Sequence, residues 1–178
     1  METNTIFKRK ESVDYELVKD ICSNALSDNP NDIEALLMRA EARFYLKEFF
    51  GAVEDYDSAI ALVPNNAEYY CNRSIVKYWL EDYPGAIADT TKAIQLKPGN
   101  ITAYSKRGIA QYLSGNFTMA LADFNMCIQL DPLFAMPWFC RGVIKVHMGK
   151  KKSGIADIRH GQQLGYRGGF MLYDGKWK

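Results

Sequence analysis

The chain has 178 residues, 48% of them hydrophobic, with 22 lysines and arginines against 21 aspartates and glutamates. That is enough apolar material for one continuous core, and the near-neutral balance argues against a nucleic-acid partner, which needs a basic stripe. No apolar run approaches the ~18 residues of a membrane-spanning helix, and the opening METNTIFKRKES lacks the apolar core of a signal peptide, so a cytoplasmic protein with no membrane partner is expected.

Residues 1–12 are polar and expected to fray. Tyr15, Val18, Cys22, Ala25 and Leu26 then recur at helical spacing up to Pro30. This segment reads as the second helix of an incomplete leading repeat, so 1–32 is a polar terminus plus a capping half-repeat. Similar segments begin at Ile33, Ala67, Ile101 and Ala135, each 34 residues after the last, with Pro30, Pro64, Pro98 and Pro132 in the same register. A period of that length marks stacked helix–turn–helix units.

In repeat 33–66, Asn31 or Asp32 caps a first helix running to about Lys47, the turn falls at 48–51, and a second helix runs to about Val63. Repeat 67–100 follows the same plan, with Pro84 just inside its second helix, where the missing N–H costs little. Repeat 101–134 turns at Gly115-Asn116, with Asn116 as a cap. Repeat 135–165 diverges: Gly154 and Gly161 replace Ala or Cys, and Tyr166 replaces proline. Within the second helices three places are small or flat: Ala52, Ala86, Ala120 and Gly154; Tyr56, Thr90, Phe124 and Ile158; Ala59, Ala93, Cys127 and Gly161. One helix pair cannot bury its own apolar face, so these places are expected to let neighbours stack. The tail 166–178 carries Phe170, Met171, Leu172 and Tyr173, too apolar for a free end, and is expected to cap the last repeat.

The period, the small residues Gly108 and Gly142, the Ala–aromatic–Ala series and the closing prolines resemble tetratricopeptide repeats, from Tyr15 to about Leu164. Two departures recur. Arg39, Arg73, Arg107 and Arg141 stand where that family has leucine, and Arg43, Lys77, Gln111 and Lys145 where it has tyrosine. The resemblance implies an all-α fold, a right-handed superhelix (α-solenoid) of antiparallel helix pairs. It also implies a non-enzymatic scaffold, without cofactor, that binds a peptide or protein on its concave face.

The four arginines match Asp55, Asp89, Asp123 and Asp157, one per repeat. Arginine's planar fork suits carboxylates, so a ladder of Arg–Asp pairs, within a repeat or to the next, is favoured over an arginine row awaiting an acidic ligand. The face that the resemblance makes concave is apolar and aromatic. Its candidate partner-binding residues are Phe44, Tyr45, Asn72, Ile75, Tyr78, Trp79, Lys106, Ile109, Tyr112 and Phe139. About half of that face is expected to be core, with Phe44, Tyr45, Tyr78, Trp79 and Tyr112 expected at the surface. The run YYCNRSIVKY also resembles a subclass that clamps the terminal carboxylate of chaperone tails: Asn72 matches its asparagine and Lys106 replaces its arginine. Leu37, Glu41 and Thr102 depart from that pattern, and Glu41 would repel a carboxylate, so a chaperone tail is the less favoured ligand.

Rival classes are weaker. Cys140 and His147 share a helical face, but no carboxylate at chelating spacing completes a metal site, and no nucleophile–base motif or phosphate loop appears. Cys22, Cys71, Cys127 and Cys140 lack CxxC spacing and read as buried thiols. The basic run Lys150, Lys151 and Lys152 reads as a solvated helix start. Self-association into a homodimer is the alternative function, with residues 170–177 docking on a neighbour.

Overall fold

The computed structural model describes residues 13–167, and every regular element among them is an α-helix. The described chain falls into two compact units. The first holds α1 (Tyr15–Asp28), α2 (Ile33–Tyr45) and α3 (Phe49–Leu62). The second holds α4 (Ala67–Trp79), α5 (Tyr83–Leu96), α6 (Ile101–Leu113), α7 (Phe117–Leu130), α8 (Ala135–His147) and α9 (Lys151–Gln163). The cap expected over 166–178 lies outside the described residues from 168 onward, as does the terminus 1–12.

Of the caps expected, Asp32 rather than Asn31 starts α2, and four further side-chain caps start α1, α4, α5 and α6. Asp14, Asp32, Asn66, Asp82 and Asn100 each accept from a backbone N–H in the first turn they precede, at 2.9–3.1 Å. Asn116 occupies the same place before α7 but makes no such bond. Pro84 sits in the first turn of α5. The first intra-repeat turn differs from expectation. α2 ends at Tyr45, the turn occupies 46–48, and α3 is already helical at Phe49. Gly51 is therefore no turn residue. It makes room for Arg43, whose guanidinium lies 3.1 Å from where a Cβ would stand and donates to the Gly51 carbonyl at 2.9 Å.

The three small or flat places are where second helices pack. Ala52, Ala59, Ala120, Phe124, Ala93 and Cys127 are completely buried, and Ala86 and Thr90 nearly so. In the divergent repeat the approach is closer still. A Cβ on Gly154 would stand 2.7 Å from the Gly142 carbonyl oxygen, and one on Gly142 would stand 2.6 Å from that of Gly154. The two glycines thus let α8 and α9 touch backbone to backbone. The main core of the second unit gathers Tyr112, Ala120, Phe124, Cys140 and Ile144 from α6, α7 and α8. All four cysteines are buried and free, and burial pushes their thiols up, that of Cys127 to about 12.

The arginine ladder forms inside each repeat. Arg39 meets Asp55 at 2.6 Å, Arg107 meets Asp123 at 2.8 Å and Arg141 meets Asp157 at 2.7 Å, and Arg73 forks onto Asp89 in the same way. The aspartates are all buried. The second departure from the family pattern supplies another donor to the same carboxylates: Arg43 to Asp55 at 2.9 Å, Lys77 to Asp89 at 3.0 Å and Lys145 to Asp157 at 2.7 Å. Within each unit the arginines also reach the preceding second helix, Arg39 to Ser23, Arg107 to Thr91 and Arg141 to Asn125, at a constant separation of 16 residues. Aromatic faces cover three of them: Tyr70 under Arg73, Tyr104 under Arg107 and Trp138 under Arg141. These guanidinium groups are committed to structure.

Candidate functional site

The aromatic candidates separate into packing groups and surface groups. Phe44, Tyr78 and Tyr112 occupy one register place, and each rests on the aromatic that opens the second helix of its own repeat. The pairs are Phe44–Phe49 at 5.8 Å, Tyr78–Tyr83 at 6.0 Å and Tyr112–Phe117 at 5.5 Å between ring centres. They staple the turn. Tyr112, expected at the surface, is buried at 8% exposure because it also joins the core, and its Oη lies 3.0 Å from His147 Nδ1. Burial raises its phenol. Ile109 and Phe139 pack against that same core, and Phe139 further meets Tyr166 at 5.0 Å. Phe44 and Tyr78 are half-buried, as are Ile75 and Trp79, with Trp79 edge-on to Tyr78 at 6.1 Å. Tyr45 is the exposed one at 52%, stacked on Tyr15 at 4.4 Å.

The polar candidates come together elsewhere. α4 and α6, both first helices, lie side by side in the second unit. A cleft of about 750 Å³ opens beside their N-terminal halves, lined by Asn72 and Cys71 of α4, Thr102 and Lys106 of α6, and the cap residues Asn66 and Asn100. The caps fix the floor. Asn66 Oδ1 holds the Glu68 N–H and Asn100 Oδ1 holds the Ala103 N–H, while Asn100 Nδ2 points at the Cys71 thiol at 3.6 Å.

Lys106 gives the cleft its chemistry. It is half-buried, and its one hydrogen bond among the described residues is a long one, 3.4 Å to the Cys71 carbonyl. No described carboxylate stands within ion-pair distance of it, in contrast to the Lys77 and Lys145 side chains. Desolvation holds its ammonium below the usual lysine range, although Cys71 and Glu68 pull the other way. An ammonium has three donors, so at least two N–H groups remain for a ligand. Asn72 adds an amide with both a donor and an acceptor. With the Glu68 carboxylate also on the lining, such a set suits the backbone carbonyls of an extended chain better than a carboxylate. In the first unit, Leu37 is half-buried and Glu41 exposed.

No cluster of three or more metal-ligand side chains occurs among the described residues. Cys140 Sγ lies against Met136 Sδ at 3.3 Å, and His147 is engaged by Tyr112. No described helix is long and apolar enough to cross a membrane.

Solved structures share this architecture. A crystal structure of MamA superposes with a TM-score of 0.80 at 19% identity, covering 85% of this chain and 88% of the other. YrrB, described as a TPR protein with an unusual peptide-binding site, superposes at 0.73 with 16% identity, over 85% of this chain and 78% of its own. The TPR domain of OM64 from Arabidopsis gives 0.55 at 27% identity, over 74% and 94%. No family model and no curated protein matches the sequence.

Proposed function

Since this chain is an all-α tetratricopeptide-repeat protein by fold, we propose that it is a protein-interaction scaffold whose second unit holds a segment of a partner in the α4–α6 cleft. The observation that carries this reading is Lys106, half-buried at the cleft with one long hydrogen bond and no ion pair among the described residues, Glu68 on the same lining lying beyond ion-pair distance. A partly desolvated ammonium with unfilled donors is costly, and a ligand that brings acceptors offsets that cost. Asn72 and Thr102 orient the same segment, and Val63 and Leu96 on the cleft lining supply apolar contact. YrrB, a TPR protein with an unusual peptide-binding site, is an instance of such a use of the fold.

The test is selection of binders from a random-peptide library against the wild-type chain, followed by titration against Asn72→Ala/Lys106→Ala. Both side chains border the cleft and neither belongs to the arginine ladder. Loss of about tenfold or more in affinity is expected for the double variant, the range for removing charge-assisted hydrogen bonds. Equal affinity of all selected peptides for both proteins would exclude the cleft as the binding site.

A further inference from the structure

The exposed charges of the first and last described helices are of opposite sign. On α1 and its cap, Asp14, Glu16, Asp20 and Asp28 are exposed, and the one base, Lys19, is half-buried between Glu16 at 2.7 Å and Glu48 at 2.6 Å. On α9 and its cap, Lys150, Lys151, Lys152 and Arg159 are exposed, and the one acid, Asp157, is buried under Arg141 and Lys145.

Each helix also holds apolar side chains in water. Val13, Leu17 and Ile21 recur every fourth residue and are 55%, 55% and 58% exposed, while Ile155 on α9 is 44% exposed. The repeat register explains both. Ile21 stands 34 residues before Asp55, at the place where the other second helices keep a buried, arginine-bound aspartate. Ile155 stands 34 residues after Leu121, which packs on the core cluster of the second unit. Arg159 takes the place of Ser23, Thr91 and Asn125, whose side-chain oxygens accept from the arginine of the following repeat. Arginine has donors only. The α9 face therefore rejects another helix of the chain's own arginine-bearing kind and suits carboxylates instead.

We propose that α1 of one copy docks on α9 of a second copy, with Asp20 and Asp28 facing Lys151, Lys152 and Arg159, and Leu17 and Ile21 covering Ile155. The two surfaces differ, so the contact is heterologous and propagates into a chain or closes into a ring. An α1-on-α1 pair would set acid against acid, which costs affinity. None of the residues named here is among those lining the α4–α6 cleft, so peptide binding there and self-association here are tested by different variants.

Sedimentation velocity on the full chain tests this, with Asp20→Lys/Asp28→Lys and Lys151→Glu/Lys152→Glu. The added lysine at the end of α1 and the added glutamates at the start of α9 suit the helix dipoles, and far-UV circular dichroism checks folding. Wild type is expected to associate with rising concentration, less so as salt is raised. Each variant alone, now with like charges on both helices, is expected to lose about tenfold or more in self-affinity. An equimolar mixture is expected to recover association, because the reversed α1 of one variant meets the reversed α9 of the other. A wild type that stays monomeric, as when residues 1–12 or 168–178 of the same chain cover these faces, overturns the proposal. So does undiminished association of either variant alone, or a mixture that fails to recover.

Discussion

Two residues past the end of each first helix the backbone turns left-handed. Lys47 at φ 64° and Glu81 at φ 59° do there what Gly115 at 79° and Gly149 at 80° do in the later repeats. For a side chain with a Cβ this conformation costs roughly 1–2 kcal/mol, offset in part by the greater entropy that glycine loses on folding, roughly 0.5–1 kcal/mol. Glu81→Gly and Lys47→Gly are therefore expected to stabilise the chain by about 0.5–1 kcal/mol each, read from denaturant midpoints at unchanged slope. Asp157 has a pH signature. Burial alone would raise its carboxyl, but bonds from Arg141 and Lys145 outweigh burial and hold it below the ordinary 3.8. A folded-state value below the unfolded one adds stability above pH 4 or so that disappears as pH falls through the folded value. Asp157→Asn is expected to lose about 1–3 kcal/mol at pH 7 and to flatten the acid limb of the stability curve; an unaltered limb would mean that the pair adds nothing. The sequence shows the Arg–Asp pairs because both residue types recur in register with equal numbers. The sequence marks this turn by glycine at Gly115, whereas Lys47 and Glu81 give no local signal of their backbone.

At the level of helices, the register predicts which places are small but not how close the helices come. Gly154 looks like decay of the alanine found at 52, 86 and 120. Against Gly142 it is instead the condition for backbone contact between α8 and α9. Restoring the alanine, Gly154→Ala, is expected to destabilise by about 1–3 kcal/mol as an overpacking change, measured by thermal melting. Ala86→Arg, at the equivalent place in α5, adds an unpaired charge to overpacking and is expected to cost more, on the order of 3–5 kcal/mol. The same limit explains Tyr112. Helical spacing puts it on the face with Lys106 and Ile109, but spacing does not tell a groove from a turn. The missing signal was present five residues on, where Phe49, Tyr83 and Phe117 recur at the same period as Phe44, Tyr78 and Tyr112. Two aromatic series in fixed register are a contact. Lys106 was legible as a polar place, but its lack of a carboxylate partner depends on which side chains surround α6 in three dimensions.

For the molecule as a whole, a repeat array differs from a globule in how a local defect spreads. Phe124 is completely buried and is held by side chains from α6, α7 and α8. Phe124→Ala is expected to cost about 3–5 kcal/mol, the loss of transfer energy plus the cavity left behind. Where each unit is stabilised mainly by its nearest neighbours, that cost lowers the opening energy of the helices around the cavity and fades along the chain. A single two-state domain would spread it evenly over every amide that exchanges by global unfolding. Hydrogen exchange resolved by peptide separates the two. Protection in α6, α7 and α8 is expected to fall steeply while buried amides near Ala40 and Ala42 in α2 keep theirs. An equal fall in α2 would show that the array unfolds as one body. In that case binding at the α4–α6 cleft would stabilise the first helices as strongly as the last.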